Sequence, residues 1–125
     1  MKVKEAIAEA DALKPNVITP SQKIKWLSRL DLRVKQSVLD THLYNEGETE
    51  PTFTGYTDDS METELLVPEP YAEMYIHWLS AQIDFANIEY EGFNAANAMF
   101  ESVFGDYRNA YNRDHMPKGT RKTYY

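Results

Sequence analysis

The chain has 125 residues, enough for a single domain with one hydrophobic core. Hydrophobic residues make up 42% of it and aromatic residues 13%, which excludes a wholly disordered protein even at a formal net charge of -7. The absence of cysteine excludes disulfide frameworks, thiolate zinc sites and cysteine nucleophiles, and the negative charge argues against general affinity for nucleic acid.

The sequence predicts no membrane segment. No apolar run approaches the roughly 20 residues needed to cross a bilayer. The N-terminal stretch MKVKEAIAEADALKP alternates charges in the manner of an exposed helix and lacks the apolar region of a signal peptide. We therefore expect a protein that is made and kept in a cytoplasm.

The first predicted element is a short helix. Val3, Ile7 and Ala10 recur at helical spacing, and Leu13 extends this apolar stripe. Pro15 ends the pattern, because proline disfavours helical geometry in the residue before it.

A second helix is predicted over residues 20–43. Thr19 is a candidate N-cap, and Pro20 follows at the first helical position, where a missing N–H costs nothing. One side of this helix is apolar and predicted to be buried. The other side is predicted to be wet and basic, with Lys23, Lys25, Arg29, Arg33 and Lys35.

Residues 44–70 form a long acidic loop between the second and third helices. The stretch holds eight acidic residues and three prolines but no Lys or Arg, so it cannot be one helix. The sequence TFTGY suggests a short strand or turn, and Leu65 and Leu66 are candidate anchors to the core. Loops of this length are usually functional or disordered. Both readings stay open here, one placing residues 46–62 toward a channel or a neighbouring subunit and the other leaving them disordered in solvent.

Two further helices follow Pro70. The first is apolar on two faces and is predicted to be the central helix of the bundle. The last helix carries a regular aromatic stripe and is predicted to begin after a bend near Gly92 and to end at Pro117 and Gly119; the stripe comprises Phe93, Phe100, Phe104, Tyr107 and Tyr111. The predicted fold is all-α, a bundle of about four helices over residues 1–116 with an extended C-terminal tail at 117–125.

The sequence gives only weak support for catalytic or metal-binding residues. His77 follows Glu73 by one turn without the second ligand pair that a metal site needs. His42 and His115 lie near helix ends, where a cation interacts favourably with the last carbonyls. The stretch around Asp58 lacks the ligand register of a calcium loop, and phosphate-binding loops and nucleophile elbows are missing from the sequence. We expect no enzymatic activity, no cofactor and no metal.

The end of the chain suggests a binding arm. We expect the three phenylalanines of the stripe to pack the last helix against the central one, and Tyr107, Tyr111 and residues 113–125 to leave the bundle. Disordered basic segments with aromatic anchors can order on a partner. The alternative is a frayed terminus. The candidate partner-binding residues are Tyr107, Tyr111, Arg113, Lys118, Arg121, Lys122, Tyr124 and Tyr125.

Three stretches carry a resemblance to a known family. They are KEAIAEADALKPNVITPSQKIKWLSRLD, then ELLVPEPYAEMYIHWLSAQIDFANIEYEGFNAA after the acidic loop, then YRNAYNRDHMPK. In order and character they resemble the small helical head-tail connector, or adaptor, proteins of tailed phages and prophages of Gram-positive bacteria. The matching patterns are those of helix packing, and the arms of that family vary greatly, so no single tail residue is carried over.

The resemblance implies a structural protein of the virion. It implies a subunit, made in the host bacterial cytoplasm, that assembles as a homo-oligomeric ring at the head-tail junction and binds the portal protein and neighbouring tail or connector proteins. DNA would pass nearby without specific binding. The alternatives are a helical regulatory or nucleic-acid-binding protein, suggested by the basic second helix, and a small helical enzyme with an unrecognised site.

Overall fold

The computed structural model describes residues 1–44 and 46–116, which form an all-helical bundle. Within these residues there is no strand, and only an isolated bridge joins Lys2 to Glu64. The predicted all-α class is therefore confirmed. The described α-helices are α1 (Val3–Leu13), α2 (Pro20–Ser37), α3 (Met74–Ala86) and α4 (Tyr90–Asp114), with short 3₁₀ turns at Leu39–Thr41 and Tyr71–Glu73.

The starts of the first two helices follow their local signals. Thr19 caps α2, its hydroxyl accepting a hydrogen bond from the backbone N–H of Gln22 at 3.3 Å, and Pro20 is the first helical residue. α1 ends before Pro15, as expected. The apolar stripe of α1 is shorter than predicted, because Leu13 is 65% exposed at the helix end.

α2 ends at Ser37, six residues before the predicted boundary. The hydroxyl of Thr41 donates to the carbonyl oxygens of Ser37 at 3.2 Å and Val38 at 2.9 Å, which gives these groups partners outside the helix. The resulting 3₁₀ turn buries Leu39 and His42 against the bundle. Burial of these two side chains explains why the chain leaves the helical path that the local pattern would continue.

The prediction that Lys23 lies on the wet face of α2 is wrong. The side chain is 2% exposed, and its Nζ lies 2.7 Å from Oδ1 of Asp11 on α1. A buried ammonium needs such a partner, because desolvation without one is very costly. The ion pair removes one cation from the predicted basic surface.

α3 is the central helix, as predicted, and packs against α1, α2 and α4. Tyr75, Leu79 and Ile83 are buried within it. Trp78 is half-buried, with its indole N–H donating to the carbonyl of Trp26 at 3.1 Å. Phe85, on the second predicted apolar face, is exposed at the end of the helix.

The turn between α3 and α4 lies before the predicted bend at Gly92. The N–H of Glu89 bonds to the carbonyl of Asp84 at 2.8 Å and that of Ile88 to Phe85 at 3.1 Å, the two hydrogen bonds of a Schellman motif. Ile88 takes the left-handed position with φ of 61°, where glycine is usual. Gly92 lies inside α4 instead and permits close approach to Asp84.

The last helix is held by its phenylalanines, as predicted. Phe100 and Phe104 are buried and stacked with ring centroids 5.6 Å apart. Phe100 also lies 5.1 Å from the ring of Trp78 on α3. Phe93 is half-buried, 5.4 Å from the ring of Phe85.

The acidic segment, defined as residues 44–70 without Asn45, is packed along the bundle. The N–H of Val3 donates to the carbonyl of Thr63 at 3.0 Å, and that of Leu65 donates to the carbonyl of Met1 at 2.9 Å. Leu65 and Val67 are buried, whereas Leu66 is half-buried. All eight carboxylate side chains of the segment are exposed. The N–H of Tyr56 donates to the hydroxyl of Ser28 at 3.0 Å and that of Lys4 donates to the carbonyl of Met61 at 3.0 Å, so residues 56–61 lie on the bundle. The suggested strand at TFTGY does not form, and the placement of residues 46–62 toward a channel or a neighbouring subunit stays a prediction.

Candidate functional site: an aromatic groove beside the end of the last helix

A groove of about 340 Å³ opens between the last two turns of α4 and the acidic segment. We call it the aromatic groove. α4 supplies Tyr107, Ala110, Tyr111 and Asp114, and His115 follows directly after the helix. The facing wall comes from the turns and from the acidic segment: Leu39, Pro51, Leu66, Pro68 and Tyr71.

Ring contacts fix the aromatic wall. Tyr107 lies between Tyr71 and Tyr111, with a centroid distance of 5.8 Å to each ring. Tyr111 stacks on His115 with centroids 4.3 Å apart and an interplanar angle of 14°. Residues 107, 111 and 115 are four apart, so one face of the helix and its extension presents all three rings.

Hydrogen bonds also hold the aromatic wall in place. The phenol of Tyr44 donates to the carbonyl of Leu39 at 2.9 Å and shares a hydrogen bond with the hydroxyl of Tyr111. His42 contacts the carbonyl of Val38 through Nδ1 and the side-chain oxygen of Asn112 through Nε2. These contacts tie the turn after α2 to the last turns of α4, so the wall is fixed in place.

The phenols of the groove are neutral. Burial raises the pKa of Tyr107 and of Tyr111 well above the usual range of tyrosine. Both phenols therefore stay neutral near pH 7. Neither phenol is therefore a phenolate base or nucleophile there.

The facing wall is anchored by a buried carboxylate on α2. Asp31 is fully buried and accepts hydrogen bonds from the phenol of Tyr56, from the phenol of Tyr75 at 2.6 Å and from the N–H of Leu66 at 3.1 Å. The N–H of Val67 donates in turn to the Tyr75 hydroxyl at 2.8 Å. Burial raises the pKa of Asp31, and the three hydrogen bonds oppose that rise. This network positions Leu66, and with it one side of the groove.

The groove has a charged border. Asp114 is exposed at its edge, and the carboxylate of Glu48 lies 3.2 Å from Nε2 of His115. A separate basic strip of exposed side chains runs along α2, formed by Lys25, Arg29 and Arg33. Asp114 and Glu48 thus lie at the groove, whereas the basic strip lies along α2.

The predicted partner-binding residues divide into three groups. Tyr107 and Tyr111 meet in the groove, but the expectation that they leave the bundle is wrong: Tyr107 is 4% exposed, and Tyr111 packs against the core. Arg113 is exposed in the last turn of α4. Lys118, Arg121, Lys122, Tyr124 and Tyr125 lie outside the described residues, as do Pro117 and Gly119. Whether any of these residues contacts a partner stays a prediction.

Sequence reasoning missed most of the groove. Pro51, Pro68 and Leu39 come from turns and from the acidic segment, and no local pattern marks them as neighbours of α4. The four-residue spacing of Tyr107, Tyr111 and His115 was the one available signal, because it places three rings on one helical face.

Other kinds of site find little support among residues 1–44 and 46–116. No group of three His, Asp or Glu side chains there could hold a metal ion. None of the described helices is both long and apolar enough to cross a bilayer.

Comparison of the chain with protein-family models, with curated proteins and with solved structures finds no match.

Proposed function

We propose that this chain is a structural subunit of a phage head-tail junction, an adaptor that assembles as a ring and binds the portal protein. The observation that carries the proposal is the aromatic groove at the end of α4. Fixed aromatic walls with a polar border are typical of protein–protein contacts, where Tyr and Arg dominate binding. The resemblance of the three helical stretches to connector proteins indicates a ring as the assembly.

The distribution of charge supports a ring. The exposed carboxylates of the acidic segment on one subunit can face the basic strip of the next subunit. Such a head-to-tail contact uses two different surfaces, and it closes into a ring when the rotation between neighbours permits. Carboxylates that face the channel would also repel DNA phosphates and allow the duplex to pass.

The proposal is tested by assembly with the portal protein of the same phage. Co-expression followed by native mass spectrometry and electron microscopy should give a ring of this subunit on the portal, and the protein should be detected in purified virions. A protein that stays monomeric alone, does not bind the portal and is missing from virions would contradict the proposal.

A matched pair of variants tests the charge contact. Arg29→Gln removes one positive charge from the basic strip, and Asn109→Asp lowers the net charge equally on an exposed position of α4. We expect the first variant to weaken ring assembly several-fold at low salt and the second to leave it unchanged, since exposed ion pairs contribute up to about 1 kcal/mol.

A regulatory or nucleic-acid-binding role is the second candidate, favoured by the exposed basic strip on α2. The ion pair of Lys23 with Asp11 weakens this candidate, because it takes one cation off the surface. Fluorescence anisotropy with duplex DNA distinguishes the two. Salt-dependent binding that is lost in Arg29→Gln, with no portal binding, would favour the second candidate.

A further inference from the structure

The aromatic groove selects the chemistry of its occupant. Its walls are the rings of Tyr71, Tyr107 and Tyr111 and the flat faces of Pro51 and Pro68. Such walls pack well against aromatic or proline side chains of an extended segment. The volume of about 340 Å³ is sufficient for a few side chains, not for a folded domain.

The border of the groove selects the charge of the occupant. Asp114 lies on the groove edge, and exposed Glu46, Glu48 and Glu50 lie in the adjoining part of the acidic segment. A segment that carries lysine or arginine beside its aromatic residues would match both the walls and the border.

The C-terminal tail of this chain has that composition. Residues 117–125 read PKGTRKTYY, with three basic residues, no acidic residue, one proline and two tyrosines. At roughly 3.3–3.6 Å per extended residue, nine residues can span about 30 Å. This span is roughly twice the radius of gyration expected for a domain of this size. The tail is therefore long enough to reach a subunit packed alongside.

The chain leaves the groove before the tail begins. His115 lines the groove, but Met116 is 46% exposed, and its carbonyl accepts a hydrogen bond from the N–H of Leu43 at 2.7 Å. The backbone of Met116 is thus held to Leu43, and neither residue lines the groove. We propose that the aromatic groove binds the C-terminal tail, residues 117–125, of a second copy of this chain.

This proposal rests on the proposed function in one respect, because a ring brings the tail of one copy beside its neighbour. The occupant and its groove are different surfaces, so the contact is head-to-tail. Tyr124 and Tyr125 supply the rings, and Lys118, Arg121 and Lys122 face the carboxylates of the border.

Peptide binding tests the groove directly. A fluorescent peptide PKGTRKTYY is titrated into full-length protein whose own tail carries Tyr124→Ser and Tyr125→Ser. We expect saturable binding that weakens with salt. In this tail variant, the further substitution Ala110→Arg blocks the groove and should weaken peptide binding at least about tenfold. The control substitution Ala98→Arg, at an exposed position of the same helix, should leave peptide binding unchanged.

A second peptide tests the charge of the border without a further substitution in the protein. Reversing Arg121 and Lys122 to glutamate in the peptide should also weaken binding at least about tenfold, because the charges then repel the border. Absence of binding by the original peptide, or equal binding by both peptides, would overturn the assignment of the tail to the groove.

Mixing two full-length variants tests whether the tail comes from a second copy. Ala110→Arg keeps the tail but blocks the groove, and Tyr124→Ser/Tyr125→Ser keeps the groove but disables the tail. In sedimentation velocity, each variant alone should self-associate at least about tenfold more weakly than wild type, and their mixture should form a 1:1 heterodimer.

The remaining outcomes are separable. Peptide binding to the tail variant without any heterodimer, and without self-association of wild type, would show docking within one chain and overturn the second-copy proposal. Neither assay contains portal protein, so a failure here leaves the portal test of the proposed function unaffected, and a failure of portal binding leaves these assays interpretable.

Discussion

Replacing Asp31 with alanine should release the acidic segment from the bundle. The variant removes the acceptor for the N–H of Leu66 and for the phenols of Tyr56 and Tyr75. A buried donor left without a partner costs about 1–3 kcal/mol. The backbone N–H of Leu66 cannot turn away from the site and the Tyr75 hydroxyl is buried, whereas the half-buried side chain of Tyr56 can turn toward water. We therefore expect a loss of about 4 kcal/mol in the free energy of unfolding.

Urea denaturation followed by circular dichroism measures this loss, and cleavage of the acidic segment by a glutamate-specific protease reports its release. Asp31→Asn is the matched control, because its amide oxygen can still accept two of the three hydrogen bonds. We expect the control to lose only about 1–2 kcal/mol. A loss below about 1 kcal/mol in Asp31→Ala, with unchanged cleavage, would refute the anchoring role of this carboxylate.

The stability of wild type relative to Asp31→Asn should depend on pH. Burial raises the pKa of Asp31 in the folded state above its unfolded value of about 3.9. Between these two pKa values the folded protein binds more protons than the unfolded chain, so wild-type stability falls as pH rises through that window. The Asn variant does not titrate there. The stability advantage of wild type over Asp31→Asn should therefore be largest below about pH 4 and decline above it, and an advantage that grows with pH would contradict this account.

Four further substitutions test α3, α4 and the turn between them. In Gly92→Ala the new Cβ would lie 2.9 Å from Cγ of Asp84, so we expect the free energy of unfolding to fall by about 1–3 kcal/mol. In the control Gly105→Ala the new Cβ meets nothing within 4 Å, and the free energy of unfolding should rise by about 0.5–1 kcal/mol. Equal effects of the two substitutions in urea denaturation would disprove the close approach. Ile88→Gly should stabilise the protein by up to about 1 kcal/mol, because Ile88 is 70% exposed and held at a φ of 61°, and a lower melting temperature would contradict this strain. Trp78→Ala should cost about 3 kcal/mol, the low end for a large aromatic, because Trp78 is half-buried, and an unchanged denaturation midpoint would place it at an interface.

The sequence by itself determined the class of fold and several helix ends. The cap at Thr19, the stop at Pro15 and the burial of Phe100 and Phe104 all follow from signals that act within one or two turns of the chain. Such signals depend on backbone hydrogen bonds and on spacing along a helix. They can be evaluated without knowing which segments meet in space.

Only the tertiary structure decided where the charged residues and the groove lie. Lys23 is buried because Asp11 on another helix neutralises it, and the acidic segment is held against the bundle because the donors of Leu66 and Tyr75 converge on Asp31. The groove likewise joins the end of α4 to residues more than thirty positions earlier in the chain. A local pattern cannot identify these pairs, because the free energy of a buried charge or hydrogen bond depends on a partner that is distant in sequence.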